Sequence, residues 1–90
     1  MRKFLIERKL GTTLIKLEKK DKALYFQVKK KMDEVVKSPD IEHYKNLKHD
    51  LKQYKRAHVG NFVLLFKYDK SNDLVYFTDF DHHDKIYKIN

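Results

Sequence analysis

Residues Tyr54–Tyr87 read YKRAHVGNFVLLFKYDKSNDLVYFTDFDHHDKIY, and the fold is decided in this stretch. Apolar and polar residues alternate with a period of two, which is the pattern of strands with one face turned to a core. Gly60-Asn61 lies between two β-prone runs and predicts a two-residue hairpin joining Tyr54–Val59 to Phe62–Tyr68. The polar run Asp69-Lys70-Ser71-Asn72-Asp73 predicts a second turn, into a strand over Leu74–Phe80. The outcome is a three-stranded antiparallel meander. Alternation puts Tyr54, Arg56 and His58 on one face of their strand and Lys55, Ala57 and Val59 on the other, while Phe62, Leu64, Phe66 and Tyr68 share a face of the next. One face of such a sheet must be covered by the rest of the chain, and the other is expected to stay open for a ligand.

Upstream the period changes. Phe4 and Ile6 alternate with Lys3 and Leu5 in a short first strand. Leu10, Leu14 and Leu17 then recur at helical spacing, with Gly11 weakening the first turn. Asp21 is placed to cap a second helix whose buried stripe is Leu24, Val28, Met32 and Val35, and Ser38-Pro39 ends it. A tight turn between two amphipathic helices predicts an antiparallel pair. Residues 39–53 form a mostly polar connection anchored by Leu47 and Leu51. The expected fold class is therefore α+β: a short N-terminal strand, two antiparallel helices, a three-stranded antiparallel meander and a short C-terminal element, in one domain over residues 1–90.

Charge divides the chain unevenly. Residues 1–60 hold 17 of the 21 Lys and Arg against 8 acids, about +9, whereas residues 61–90 hold 4 against 5, about −1. A field of that sign favours polyanions through phosphate contacts that release counterions. Lysine-rich helix faces are equally the mark of a well-solvated surface, so Lys16, Lys19, Lys20, Lys22, Lys29, Lys30 and Lys31 read as solvated faces or as contacts to large RNA. The absence of cysteine excludes disulfides and thiol catalysis. There is no run of 18 apolar residues and no apolar leader after Met1, which leads to the expectation of a cytoplasmic protein with no membrane partner.

The element order and the residue pattern together resemble the RelE/ParE toxin superfamily. Many members carry a segment of the form L-K-G-x-L-K-G-Y-x-R-x-R-V-G-N-Y-R and, near the C-terminus, G-H-R-x-x-x-Y. Here the first reads Leu47-Lys48-His49-Asp50-Leu51-Lys52-Gln53-Tyr54-Lys55-Arg56-Ala57-His58-Val59-Gly60-Asn61-Phe62-Val63, and the second Asp81-His82-His83-Asp84-Lys85-Ile86-Tyr87. The resemblance implies the toxin of a type II toxin–antitoxin system, an endoribonuclease that cuts mRNA on the ribosome by driving a 2′-hydroxyl onto the adjacent phosphate. It implies a RelB-like antitoxin as partner, and a toxin–antitoxin complex that binds operator DNA. By position, Arg56 and His58 fall on basic strand residues of the family, His83 on the C-terminal arginine and Tyr87 on the terminal aromatic. Val63 replaces an arginine that many active members use on the charged phosphate. The histidine pattern is similar to the YafQ branch, which reads C-H-V and T-H-S-D-L-F in the corresponding places.

The residues themselves suit that chemistry. Internal transfer needs a base for the 2′-hydroxyl, an acid for the leaving 5′-oxygen and cations for the charge on phosphorus. Histidine, with an ordinary pKa near ~6.5, fills either proton role. The catalytic candidates are therefore His58, His83, Arg56 and Tyr87, with His83 as the acid by analogy and Arg56 as a bidentate phosphate ligand. Lys48, Lys52, Lys55, His82 and Lys85 are the candidates for RNA binding. Asp81-His82-His83-Asp84 offers metal-ligand residue types, but consecutive residues seldom converge on one ion, so no metal and no cofactor is expected. Three alternatives stay open: a ParE-like inhibitor of DNA gyrase, a catalytically impaired RelE homologue, and a nonenzymatic RNA-binding module.

Overall fold

The computed structural model describes residues 2–88, excluding the side chain of Lys88. In chain order the elements are β1 (Lys3–Ile6), α1 (Arg8–Lys20), α2 (Lys22–Lys37), two short 3-10 turns (Ile41–His43 and His49–Leu51), β2 (Lys55–Val59), β3 (Phe62–Asp69), β4 (Leu74–His82) and α3 (His83–Lys88). The four strands form one sheet in the order β1-β4-β3-β2. β2, β3 and β4 are the antiparallel meander, and β1 joins beside β4 in parallel, with Lys3 opposite Leu74 and Ile6 opposite Phe77.

The helices form where the apolar residues repeat. α1 buries Leu10 and Leu14, α2 buries Val28, Met32, Val35 and Val36, and Leu17 and Leu24 pack at the margin. A single residue separates the helices. The Asp21 side chain accepts a 3.1 Å hydrogen bond from the Leu24 amide, satisfying one of the free N–H groups at the start of α2, while its own amide donates to the Leu17 carbonyl at the end of α1. Lys19 and Lys20 stand in the last turn of α1, where cations oppose the helix dipole. At the far end of α2, Arg2 donates to the carbonyls of Val36 (2.9 Å) and Ser38 (2.6 Å) and pairs with Asp73 at 2.9 Å. The side chain just ahead of β1 thus ties the end of α2 to the β3–β4 turn.

The helix-facing side of the sheet supplies Ala57, Val59, Leu64, Phe66, Val75, Phe77 and Phe80 to this core. Each fully buried Val, Leu or Phe contributes about 1.5–3 kcal/mol, so this layer dominates stability. Gly60, at φ +58°, turns β2 into β3; positive φ at the first central position alone is the II′ pattern that matches strand twist. β4 carries a bulge beside Leu65 and Phe66: Leu65 pairs with Asp79 and Phe66 with Phe77, leaving Thr78 extra, and its hydroxyl donates to the Leu65 carbonyl at 3.3 Å.

The other face is not left open as the sequence suggested. Leu47 from the connection and Ile86 from α3 cover Val63 and Leu65, and Leu51, Tyr54 and Tyr87 close the edges of this second, smaller core. β3 buries Val63, Leu64, Leu65 and Phe66 in succession, two side chains to each face, and a sheet with two apolar faces needs two covers. The strip of sheet next to Arg56 and His58 remains accessible.

Candidate functional site

β2 presents alternate side chains to opposite faces, and α3 begins directly where β4 ends, so the meander brings residues 56–58 and 83–87 to one edge of the sheet. The amide of His83 donates to the Asn61 carbonyl at 2.9 Å, which fixes the start of α3 against the β2–β3 hairpin. Ile86, 1% exposed, anchors the helix on Val63 and Leu65. In consequence the rings of His58 and His83 lie 6.5 Å apart, centroid to centroid, with the planes tilted by 34°. His83 meets Tyr87 edge-on at 4.6 Å, and the Arg56 guanidinium lies over the Tyr87 ring at 5.5 Å. The four residues singled out as catalytic candidates are thus contiguous. Tyr87 sits between the histidine and the arginine.

At that separation the two imidazoles are close enough for both to reach a single bound ligand. His83 Nδ1 is 3.2 Å from an Asp84 carboxylate oxygen, which holds Nδ1–H as donor and leaves Nε2 as the nitrogen available for proton transfer. Both rings are exposed. His58 stands opposite Val63 in the β2–β3 register, and Val63 is fully buried beneath Ile86.

The residues expected to bind RNA are scattered. Lys55 is 7% exposed on the helix-facing side, where its ammonium donates to the Tyr44 carbonyl (3.1 Å) and to Asn46 Oδ1 (3.0 Å) and pairs with Glu42 at 3.3 Å. It fastens the connection to β2 and has no donor pointed at solvent chemistry, because its alternation with Ala57 and Val59 drives it inward. His82 follows Phe62 and Phe80 to that same side, edge-on to Phe62 at 5.5 Å, and its Nδ1 accepts from the Asp84 amide at 3.2 Å. It is on the opposite face from the His58–His83 pair. Lys48 and Lys52 are exposed on either side of the second 3-10 turn, and Lys85 is exposed on α3. Because His82 and His83 diverge, the Asp81–Asp84 run does not converge on a point, and among the described residues no three His, Asp or Glu side chains are grouped to hold a metal ion.

Two residues the sequence reading passed over, His43 and Lys45, adjoin the site together with Lys31, which it read as a solvated face or an RNA contact. Lys31 from α2, and His43 and Lys45 from the connection, line a groove of about 380 Å³ with Tyr44, Arg56, Ala57 and His58. Lys45 is set there by the backbone: the Arg56 amide donates to its carbonyl at 3.0 Å, and Asn46 bridges to Lys55. The Tyr44 ring meets Phe66 edge-on at 5.5 Å; burial pushes its hydroxyl pKa up, against the opposing pull of the Lys31 charge. No sequence period connects residues 31, 43 and 45. Only their residue types could have marked them.

No family model matches the chain. A protein assigned as toxin RelE4 of Methanocaldococcus jannaschii is 49% identical over 80 residues, which span 88% of this chain and 83% of that one. Among solved structures, the toxin–antitoxin complex RelBE2 from Mycobacterium tuberculosis contains a chain that superposes with a TM-score of 0.75 at 18% identity, covering 90% of this chain and 96% of that chain. A histidine-to-glutamine variant of YafQ from E. coli superposes with a TM-score of 0.73 at 16% identity, covering 97% and 99%. At those identities the superpositions speak for the fold, and the RelE4 match speaks for descent. With half of its aligned residues shared across most of both chains, and with the same strand-and-helix frame, the protein belongs to the RelE/ParE superfamily, the toxins of toxin–antitoxin systems.

Proposed function

We propose that the protein is an endoribonuclease toxin that cuts mRNA on the ribosome by metal-independent internal transfer, with His58 and His83 as the acid–base pair. The observation that carries this reading is the 6.5 Å approach of the two imidazoles, with Arg56 and Tyr87 beside them. One histidine takes the 2′-hydroxyl proton while the oxygen attacks phosphorus. The other delivers a proton to the departing 5′-oxygen, and the products are a 2′,3′-cyclic phosphate and a free 5′-hydroxyl. His83 takes the acid role by analogy with the family. Arg56 neutralises the equatorial oxygens, where a planar fork suits two of them at once. Tyr87 orients Arg56 and His83 by ring contact and offers its hydroxyl to the phosphate.

The partner in this reading is a RelB-like antitoxin, as in the RelBE and DinJ–YafQ complexes that share the fold; the toxin–antitoxin complex would bind its operator DNA, and the toxin would act in the cytoplasm. The test is to induce the chain in cells alone and with its neighbouring open reading frame, then to map transcript ends. New 5′-hydroxyl ends that vanish in His58→Ala and His83→Ala and are suppressed by the neighbour are the expected result. Growth arrest with intact transcripts and broken DNA would replace the reading with gyrase inhibition. Binding of RNA without new ends would mark an impaired or nonenzymatic homologue.

A further inference from the structure

The groove beside the His58–His83 pair carries three cationic side chains, Lys31, Lys45 and Arg56. Lys31, His43, Lys45, Arg56 and His58 line it without a single carboxylate, whereas each of the four other grooves described has at least one: Asp33, Asp73, Glu7 with Asp79, and Asp81. The contrast within one molecule singles this groove out from a generally basic surface. It is also continuous with the catalytic set through Arg56 and His58. Its volume falls within the range of about 300–1,000 Å³ typical of small-ligand sites. The exposed His43 ring lies 4.1 Å from Tyr44, centroid to centroid, held by Nδ1 donating to the Asp40 carbonyl, so a flat surface stands at the groove's rim.

We propose that this groove binds the nucleotide next to the scissile bond of a single-stranded RNA, with Lys31 and Lys45 as ligands of its phosphate and His43 as the surface on which its base stacks. The proposal rests on the ribonuclease reading for the position of the scissile bond. Lys31 is paired with Glu34 at 2.8 Å, but both side chains reach solvent, at 30% and 46% exposure, and such pairs contribute about 0–1 kcal/mol, so a phosphate displaces the carboxylate readily. Base stacking on an aromatic ring tolerates any sequence, and the lining carries little that would read base edges. Cleavage is accordingly expected to be set by the nucleotide's backbone here more than by its base.

The experiment is a salt sweep of binding to a fluorescent, fully 2′-O-methylated RNA decamer, which cannot be cut, paired with cleavage of the unmodified decamer programmed on ribosomes. Each neutralised phosphate of a single strand adds about −0.7 to the slope of log K against log salt. Because both lysines hold one phosphate, the Lys31→Ala/Lys45→Ala variant should lose about 0.7 from the slope, so a fourfold rise in salt costs it about 2.6-fold less affinity than it costs the parent. The charge-matched control Lys19→Ala/Lys22→Ala, at the other end of the helical pair, should keep the parent slope. Equal losses in both variants, or no salt-dependent binding by the parent, overturn the proposal. So does tighter binding of a glutamate-rich peptide than of the decamer, which would give the groove to an acidic protein segment. Cleavage lost in His58→Ala with an unchanged slope in the groove variant sinks the groove and leaves the ribonuclease. Groove-dependent binding without cleavage does the reverse.

Discussion

His58 on β2 and His83 at the head of α3 face each other at 6.5 Å although 24 residues separate them in the chain, and the contact exists only because β3 and β4 run out and back between them. If they work as one proton-transfer unit, removing either disables the unit. Each alanine variant should lower cleavage by about 10²–10⁴-fold. The double variant should be no worse than the weaker single one, because groups that act together are strongly non-additive. Single-turnover rates for the four proteins of the cycle check this; multiplicative losses would mean that the two rings act independently.

Val63 looks from the sequence like a lost arginine, and restoring it looks like a gain of activity. The structure reverses the expectation. Val63 is 0% exposed between Leu65 and Ile86, so Val63→Arg puts an unpaired guanidinium into the second core. That costs about 3 kcal/mol or more, the range found when a buried charge is left without its partner. Thermal melting should show the midpoint falling by ten degrees or more, about 4–8 °C per kcal/mol for a domain of this size. Cleavage should not rise. A faster enzyme with an unchanged melting point would show that the arginine escapes to the phosphate.

Lys55 gives the opposite dissociation. Lys55→Met keeps the aliphatic stem and removes the three-way contact to Tyr44, Asn46 and Glu42. A loss of about 1–3 kcal/mol in urea unfolding follows from the two acceptors left without a donor. The salt dependence of RNA binding should be unchanged, since this ammonium is turned away from solvent. A shallower slope in the variant would put Lys55 back among the RNA ligands.

Arg2, Tyr68 and Asp73 make the fold sensitive to pH at both extremes. The Tyr68 hydroxyl, donating at 2.6 Å, and then Arg2 hold the Asp73 carboxyl below its ordinary value of 3.8. A folded-state value that is depressed stabilises above the unfolded value, and that stabilisation is lost as pH falls through the folded one. The same hydrogen bond pushes Tyr68 above its ordinary value of 10.0, so its share is complete below that value and lost as pH rises through the raised one. Asp69, lowered by Asn72, adds to the acid limb. Melting temperature followed from pH 2 to 6 should fall below about pH 4, and less steeply in Asp73→Asn. An identical acid limb in parent and variant would assign the sensitivity to other carboxylates.

Much of the fold was legible because it is local. The 3.6-residue stripes of α1 and α2, the Asp21 cap and the Gly60 turn each declare themselves within a few residues. The partner of β1 did not, since nothing in Lys3–Ile6 says whether it lies against β4 or β2, or in which sense. Nor did the second core: Leu47 and Ile86 are single apolar residues in polar company, with no period to announce that they meet. At the site, alternation correctly grouped Arg56 with His58, and the same alternation, followed through, turns Lys55 inward. Residue type suggested RNA and strand period said core, and the period decided. The groove lysines were illegible for another reason, that Lys31 and Lys45 come together only through the packing of α2 against the edge of β2.

The parallel pairing of Lys3 with Leu74 also sets a schedule. A chain made from its N-terminus completes β1, α1 and α2 long before β4 exists, so the apolar stripe of the helical pair must wait for the meander, and β1 for the last strand of all. Non-local pairings of this kind form slowly. Because half of the His58–His83 pair arrives only after β4, a growing chain has no assembled site while its first sixty or seventy residues are being made. Whatever the protein acts on, the His58–His83 pair exists only once the final strand is in place.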